Sequence, residues 1–146
     1  MIRMFDARDL DQVMELWLNG NIEAHDFIPR NYWESNAPMV REQLLQAEIY
    51  VYETDGKILG FVGLQGDYLA GIFVDRHARS MGIGGQLIHY VQKIRRTLTL
   101  NVYRKNQRAM EFYLGEGFSV LSEDIDKATG ETDIVLSWKF EERNRL

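Results

Sequence analysis

Apolar residues along the chain alternate between a spacing of three to four and a spacing of two, and each change of period marks a predicted element. Residues 1–5 read as a short strand. Leu10, Val13, Met14, Leu16 and Trp17 then fall on one face of a helix entered through Asp6 and Asp9 and closed at Gly20 and Asn21. From Asn21 to Ala37 the pattern is irregular and rich in rings (His25, Phe27, Tyr32, Trp33), after which Pro38 is expected to open a second helix ending near Ala47. Ile49–Glu53 and Lys57–Leu64 read as strands joined by Thr54-Asp55-Gly56, where Asp-Gly supplies the positive φ of a tight hairpin. Tyr68–Val74 is a third strand of this set, and Ile83, Leu87, Val91 and Ile94 then mark one face of a helix over Gly82–Ile94. A strand at Leu98–Tyr103, a helix at Asn106–Glu116 stopped by Gly117, and strands at Phe118–Ile125 and Ile134–Phe140 complete the chain. The predicted order is β-α-α-β-β-β-α-β-α-β-β, an α+β fold on a mixed sheet.

Composition adds bounds to this picture. At 146 residues, 45% hydrophobic and 12% aromatic, the chain suits a single domain, expected over residues 1–141 with 142–146 as a frayed tail. The absence of cysteine excludes disulfides, thiolate metal sites and thiol nucleophiles, and His25, His77 and His89 match no zinc spacing, so no metal is expected. The start lacks a basic region followed by an apolar run, and no apolar stretch reaches the roughly 18 residues of a membrane span, so a cytoplasmic protein without a membrane partner is expected. A net charge of −5 argues against nucleic acid as a partner.

The distribution of that charge says more than its sum. Residues 1–60 carry eleven Asp or Glu against five Lys or Arg, a balance of −6, whereas residues 61–146 carry eleven against twelve, a balance of +1. Between Arg76 and Met110 stand Arg76, Arg79, Lys93, Arg95, Arg96, Arg104, Lys105 and Arg108, with no acidic residue among them. Within that basic stretch, Arg79-Ser80-Met81-Gly82-Ile83-Gly84-Gly85 lies between a strand and a helix. Three glycines there let main-chain N–H groups approach a ligand closely, at a helix N-terminus whose partial positive charge favours phosphate. The spacing is neither a dinucleotide fingerprint, which would need a glycine where Leu87 stands, nor a Walker loop, which would need Lys and Ser or Thr where Gln86 and Leu87 stand. Downstream, Ala109, Phe112 and Tyr113 share a helical face, and Asn106 sits at that helix's N-terminal end.

R-x-x-G-x-G after a strand, followed by a further strand and N-x-x-A-x-x-F-Y-x-x-x-G-F, resembles the GNAT superfamily of acetyl-CoA-dependent N-acetyltransferases, and the element order is similar over nearly the whole chain. Within it the chain looks most similar to small single-domain bacterial enzymes that acetylate protein lysines or N-terminal amines. The resemblance implies that main-chain groups of Ile72, Phe73 and Val74 meet the pantetheine arm. It further implies that Arg79, Ser80, Met81, Gly82, Ile83, Gly84 and Gly85 hold the pyrophosphate, that Asn106 contacts the arm, and that the Tyr113 hydroxyl faces the thioester sulfur. Lys93 and Arg104 to Arg108 are candidates for the ribose phosphate.

Transfer sets three demands: a neutral amine, a tolerated oxyanion and a protonated leaving thiolate. A lysine amine with a pKa of about 10.4 is uncharged in only on the order of one molecule in a thousand at pH 7. Tyr113, a phenol, suits protonation of the thiolate. A main-chain donor near Phe73 or Val74 would meet the oxyanion, as the resemblance suggests. The strand Tyr68–Val74 lacks the glutamate often found there in the superfamily, which leaves Glu23, His25 and Asp26 as candidate bases. Glu23, His25, Phe27, Trp33 and Tyr68 are the expected acceptor-binding residues. The acidic first part of the chain is expected to line the acceptor side and to favour a cation. Small amines such as polyamines or aminoglycosides, and a non-catalytic acyl-CoA-binding regulator, stand as the alternatives. A homodimer through the terminal hairpin is a further expectation.

Overall fold

A computed structural model describes residues 1–141, and the expected frayed tail at 142–146 lies outside the described residues. Seven strands form one mixed sheet: β1 (Ile2–Met4), β2 (Glu48–Thr54), β3 (Lys57–Gln65), β4 (Tyr68–Val74), β5 (Thr97–Tyr103), β6 (Ser119–Ile125) and β7 (Thr132–Lys139), in the spatial order β1-β2-β3-β4-β5-β7-β6. Four helices cover it: α1 (Leu10–Ala24), α2 (Arg30–Gln46), α3 (Ile83–Ile94) and α4 (Gln107–Gly115). This is the expected order of elements. All neighbouring strands are antiparallel except β4 and β5. The Asp55-Gly56 hairpin has the anticipated geometry, with φ of 51° and 79°.

Two cores flank the sheet. On one face Leu10, Val13 and Leu44 of α1 and α2 pack on Ile49, Val51 and Phe61; on the other Leu87 and Val91 of α3 and Tyr113 of α4 pack with Leu98, Leu100 and Leu136. Burying aliphatic side chains of this size stabilises by about 1.5–3 kcal/mol each, which holds the helices to a sheet whose centre is open.

The first two helices differ from the sequence expectation. Helix α1 continues past Gly20 and Asn21 to Ala24, because Gly20 is a packing position and not a stop: a Cβ there would lie 2.8 Å from the Phe73 ring. The Asn21 amide donates back to the Trp17 carbonyl at 2.9 Å and so remains compatible with the helix. Helix α2 begins at Arg30, directly after Pro29, and Pro38 lies inside it. The irregular ring-rich segment is therefore confined to His25–Pro29, and Tyr32 and Trp33 are helical. Trp33 anchors this early start, buried in edge-on contact with Trp17 at 6.1 Å. Among the described residues no helix is long and apolar enough to cross a membrane.

Candidate active site

The site begins with a defect in the sheet. β3 holds β4 along its length, from Gln65 opposite Tyr68 to Gly60 opposite Val74, but on the other side of β4 only Tyr68 meets a residue of β5, Thr99. Past that point the two parallel strands part, and main-chain groups of Ala70 to Val74 have no ladder partner in β5. A cleft of about 1170 Å³ fills the gap, with Ala70–Val74 on one wall and Asn101–Tyr103 on the other. The strand also carries a β-bulge, since Gly63 pairs Gly71 while Leu64 pairs Leu69, leaving Ala70 as the extra residue. The bulge reverses the alternation. Leu69 faces the α3/α4 core, yet Phe73, four residues on, faces the α1/α2 core, and Ile72 and Val74 return to the α3/α4 side.

At the C-terminal end of β4 the chain makes a 3-10 turn over Arg76–Met81, capped by the Asp75 carboxylate on the His77 N–H at 2.8 Å. Gly82 turns the chain into α3 with φ of +73°, a conformation that disfavours a side chain. Arg79, Gly82, Gly84 and Gly85 line the cleft. A Cβ on Gly85 would meet nothing within 4 Å, so the glycine leaves open space there. Of the remaining loop residues expected at the cofactor, Ser80 and Met81 are exposed outside the cleft lining, and the Ile83 side chain is fully buried in the core. From the basic stretch Lys105 and Arg108 also line the cleft; Arg104 is engaged by Glu123, and Lys93 lies elsewhere. Arg79 is paired with Glu23 of α1, which draws together the loop expected at the cofactor and a residue expected on the acceptor side.

Helix α4 contributes from the opposite wall. The Asn106 Oδ1 caps the helix by accepting the Ala109 N–H at 3.2 Å, and its Nδ2 approaches His25 Nε2 at 3.3 Å. An amide nitrogen can only donate, so Nε2 accepts and the ring proton sits on Nδ1, which is buried without a partner. Burial pushes the His25 pKa down, so the ring is neutral. It stacks on Trp33 at 5.1 Å, and both line the cleft. Phe27 stands behind, edge-on to His25 at 5.7 Å and beneath the Lys105 ammonium at 5.5 Å, outside the lining. Tyr113, 7% exposed, lines the cleft from the α3/α4 side. Burial raises its pKa far above that of an ordinary phenol, with the Ile72 N–H a smaller opposing influence and Tyr68 a smaller reinforcing one.

Among the cleft residues that escaped the sequence reading are Asn101, Tyr103, Asp126 and Asp133. The Tyr68 hydroxyl donates to Asn101 Oδ1 at 2.9 Å, and Asn101 Nδ2 donates to the Asp133 carboxylate. The Tyr103 hydroxyl donates to Asp126 at 2.6 Å. Glu23, Asp126 and Asp133 bring three carboxylates to the lining, and two of the three come from the β6–β7 turn and β7 and not from the acidic first part of the chain. Only the alternation of β5 and β7 hinted at these residues, since Asn101 and Asp133 occupy polar positions next to buried Leu100 and Ile134.

Comparison with known proteins agrees with this geometry. The family model for the acetyltransferase (GNAT) domain matches residues 46–120, from the start of the central hairpin through α4. The peptidyl-lysine N-acetyltransferase YiaC of Escherichia coli (strain K12) is 40% identical over 140 residues, covering 94% of this chain and 96% of that protein. The peptidyl-lysine N-acetyltransferase YjaB of Salmonella typhimurium is 30% identical, covering 82% and 83%. Among solved structures, the apo form of YjaB from Escherichia coli superposes with a TM-score of 0.84 at 25% identity, covering 94% and 96%. The PaiA N-acetyltransferase of Thermoplasma acidophilum, in complex with coenzyme A, superposes at 0.81 with 20% identity, covering 96% and 98%. A split mixed sheet, a glycine loop at the end of its central strand, a tyrosine in the gap and these matches together establish that the chain belongs to the GNAT family of N-acetyltransferases.

Proposed function

We propose that this chain moves an acetyl group from acetyl-CoA to a primary amine of a protein, a lysine side chain or an N-terminal amine, by direct attack with Tyr113 as general acid. The carrying observation is the cleft between β4 and β5, which has bared glycine amides and cationic side chains at one end and the Tyr113 phenol on its wall. The lysine acceptor draws support from the names of the 40% and 30% identical relatives and from the acidic residues of the cleft, which suit a cation.

The residues present fit coenzyme A. Open space at Gly85, the N-terminus of α3 and the guanidinium of Arg79 suit linked phosphates, and Arg108 and Lys105 supply further positive charge. The unpaired edge of β4 from Ile72 to Val74 suits an amide-bearing arm that adds to the sheet as a strand would. Acetyl-CoA supplies an activated acyl carbon and a sulfur leaving group. Main-chain N–H groups near Phe73 or Val74 meet the negative charge that develops on the carbonyl oxygen. The Tyr113 hydroxyl, kept protonated by burial, holds a proton for the departing sulfur.

Tyr113→Phe is the test. Acetyl-CoA affinity measured by calorimetry is expected to hold, while kcat/KM on a lysine peptide, followed by thiol release, falls by about 10²–10⁴-fold. Unchanged turnover would remove Tyr113 from the acid role.

A further inference from the structure

A carboxylate able to take the proton from the acceptor ammonium is missing from the central strand β4, and the residues nearest to hand in the sequence are engaged elsewhere. Glu23 is paired with Arg79, the acceptor nitrogen of His25 is occupied by Asn106, and Asp26 does not line the cleft. Two carboxylates on the β5–β7 side do line it, Asp126 and Asp133. Asp126 is saturated: it accepts the Tyr103 hydroxyl at 2.6 Å and the Ala128 N–H at 2.9 Å, and these contacts hold its pKa below the usual carboxylate range. Asp133 accepts a hydrogen bond from Asn101 alone among the described residues.

We propose that Asp133 is the general base of the transfer, oriented by Asn101, with the Tyr68 oxygen as a second acceptor for the incoming ammonium. This rests on the acetyl-transfer reading above. The geometry follows from the topology. Asn101 on β5 and Asp133 on β7 lie on the face opposite Leu100 and Ile134, and the bulge at Ala70 allows Tyr68 to face the same side while Ile72 and Tyr113 belong to the other. The split sheet thus puts a carboxylate on one side of the gap and the phenol on the other. An amine entering from the Asp133 side has the sulfur's proton donor across the sheet from it.

The hydrogen-bond directions are forced. A carboxylate only accepts, so Asn101 must turn its NH₂ to Asp133, which leaves Oδ1 to draw the Tyr68 hydroxyl hydrogen and frees the phenolic lone pairs. Burial raises the Asp133 pKa, Asn101 opposes and Asp126 reinforces, so the carboxylate is a stronger base than a solvated one. Around it stand Tyr68 on β4, Tyr103 on β5, its sheet neighbour Asp124 on β6, and Asp126, with no cation within ion-pairing distance among the described residues.

One N–H bond of R–NH₃⁺ breaks and an O–H bond forms on Asp133, which passes that proton to solvent. The freed pair forms the C–N bond as the C–S bond breaks, and its electrons go to sulfur with the Tyr113 proton. The second nitrogen proton restores Tyr113, so the products are an amide, a thiol and one proton.

The experiment uses the full chain with acetyl-CoA and three acceptors: a peptide with one lysine and a blocked N-terminus, a lysine-free peptide with a free N-terminus, and spermidine. Asp133→Asn is expected to bind acetyl-CoA as the parent does and to lose about 10²–10³-fold in kcat/KM at pH 7. The deficit is expected to shrink as pH rises toward the lysine pKa of about 10.4, where the amine needs no base. Asn101→Ala should show a smaller loss with the same recovery, and Asp133→Glu should retain part of the rate. A structural defect would not recover with pH. Parent turnover with an equally active Asp133→Asn, or a deficit constant across pH, overturns the role of Asp133 alone. No turnover of any amine by the parent overturns the acetyl-transfer reading and this role with it.

Discussion

Replacing Gly85 by alanine should move stability and cofactor binding in opposite directions. Gly85 is the third residue of α3, and a Cβ placed there meets no atom of the protein within 4 Å. Folding therefore gains from the lower chain entropy of alanine in a helix, by about 0.5–1 kcal/mol. For a domain of this length that corresponds to a rise in Tm of roughly 1–4 °C. The same methyl group enters the open space beside the bared amides, where a phosphate oxygen would sit under the reading above. Losing one hydrogen bond between an amide and a charged group costs about 1.5–3 kcal/mol, or about a 10- to 150-fold weaker Kd for acetyl-CoA. Scanning calorimetry and isothermal titration on the same preparation read both quantities. A variant that melts higher and binds acetyl-CoA as tightly as the parent would refute the phosphate cradle, whereas one that melts lower would refute the claim that the space is open.

Gly71→Ala should be destabilising, because its Cβ would fall 2.6 Å from the Phe73 ring, which is itself stacked on Phe61 at 5.2 Å. Forced repacking of this kind costs about 1–3 kcal/mol, seen as a lower urea midpoint with an unchanged m-value, and a midpoint equal to the parent's would refute the contact. At the far edge of the sheet, hydrogen bonds from Arg3 hold the Asp9 carboxyl below the usual range against the opposing cost of burial. A carboxylate whose folded pKa is depressed contributes stability that is present above its unfolded pKa of about 3.9 and is lost as pH falls through the folded value. Asp9→Asn should therefore lower Tm at pH 7 by more than at pH 3, and an equal drop at both would refute the linkage. The variant leaves the cleft intact, so acetyl-CoA affinity should not change.

Local features were legible where the chain's own chemistry decides the structure. The Asp55-Gly56 turn, the Gly82 junction and the Asn106 cap each depend on one or two adjacent residues, and each appears where the residues call for it. Gly20 and Pro38 misled for the complementary reason. Read locally, a glycine ends a helix and a proline starts one. Here the Phe73 ring from a strand more than fifty residues away requires the glycine, and burial of Trp33 fixes α2 well before Pro38.

The β5–β7 side of the cleft was hidden by a different kind of distance. Asn101 could be placed on a strand, and Asp133 lies just outside the start of the one predicted at Ile134, but nothing within either segment says that they meet. Their meeting depends on β7 inserting between β5 and β6, which sets Tyr103 opposite Asp133 and brings Asn101, two residues back on the same face, within reach of the carboxylate. The same insertion leaves β5 bonded to β7 along its whole length and nearly unbonded to β4, so the parting of β4 from β5 and the arrival of Asp133 share one cause. A strand order that closed the gap would have removed the cleft, and one that kept β6 next to β5 would have removed the carboxylate. That coupling explains how β4 can lack a glutamate of its own: the strand arrangement that opens the site also delivers an acid to its rim.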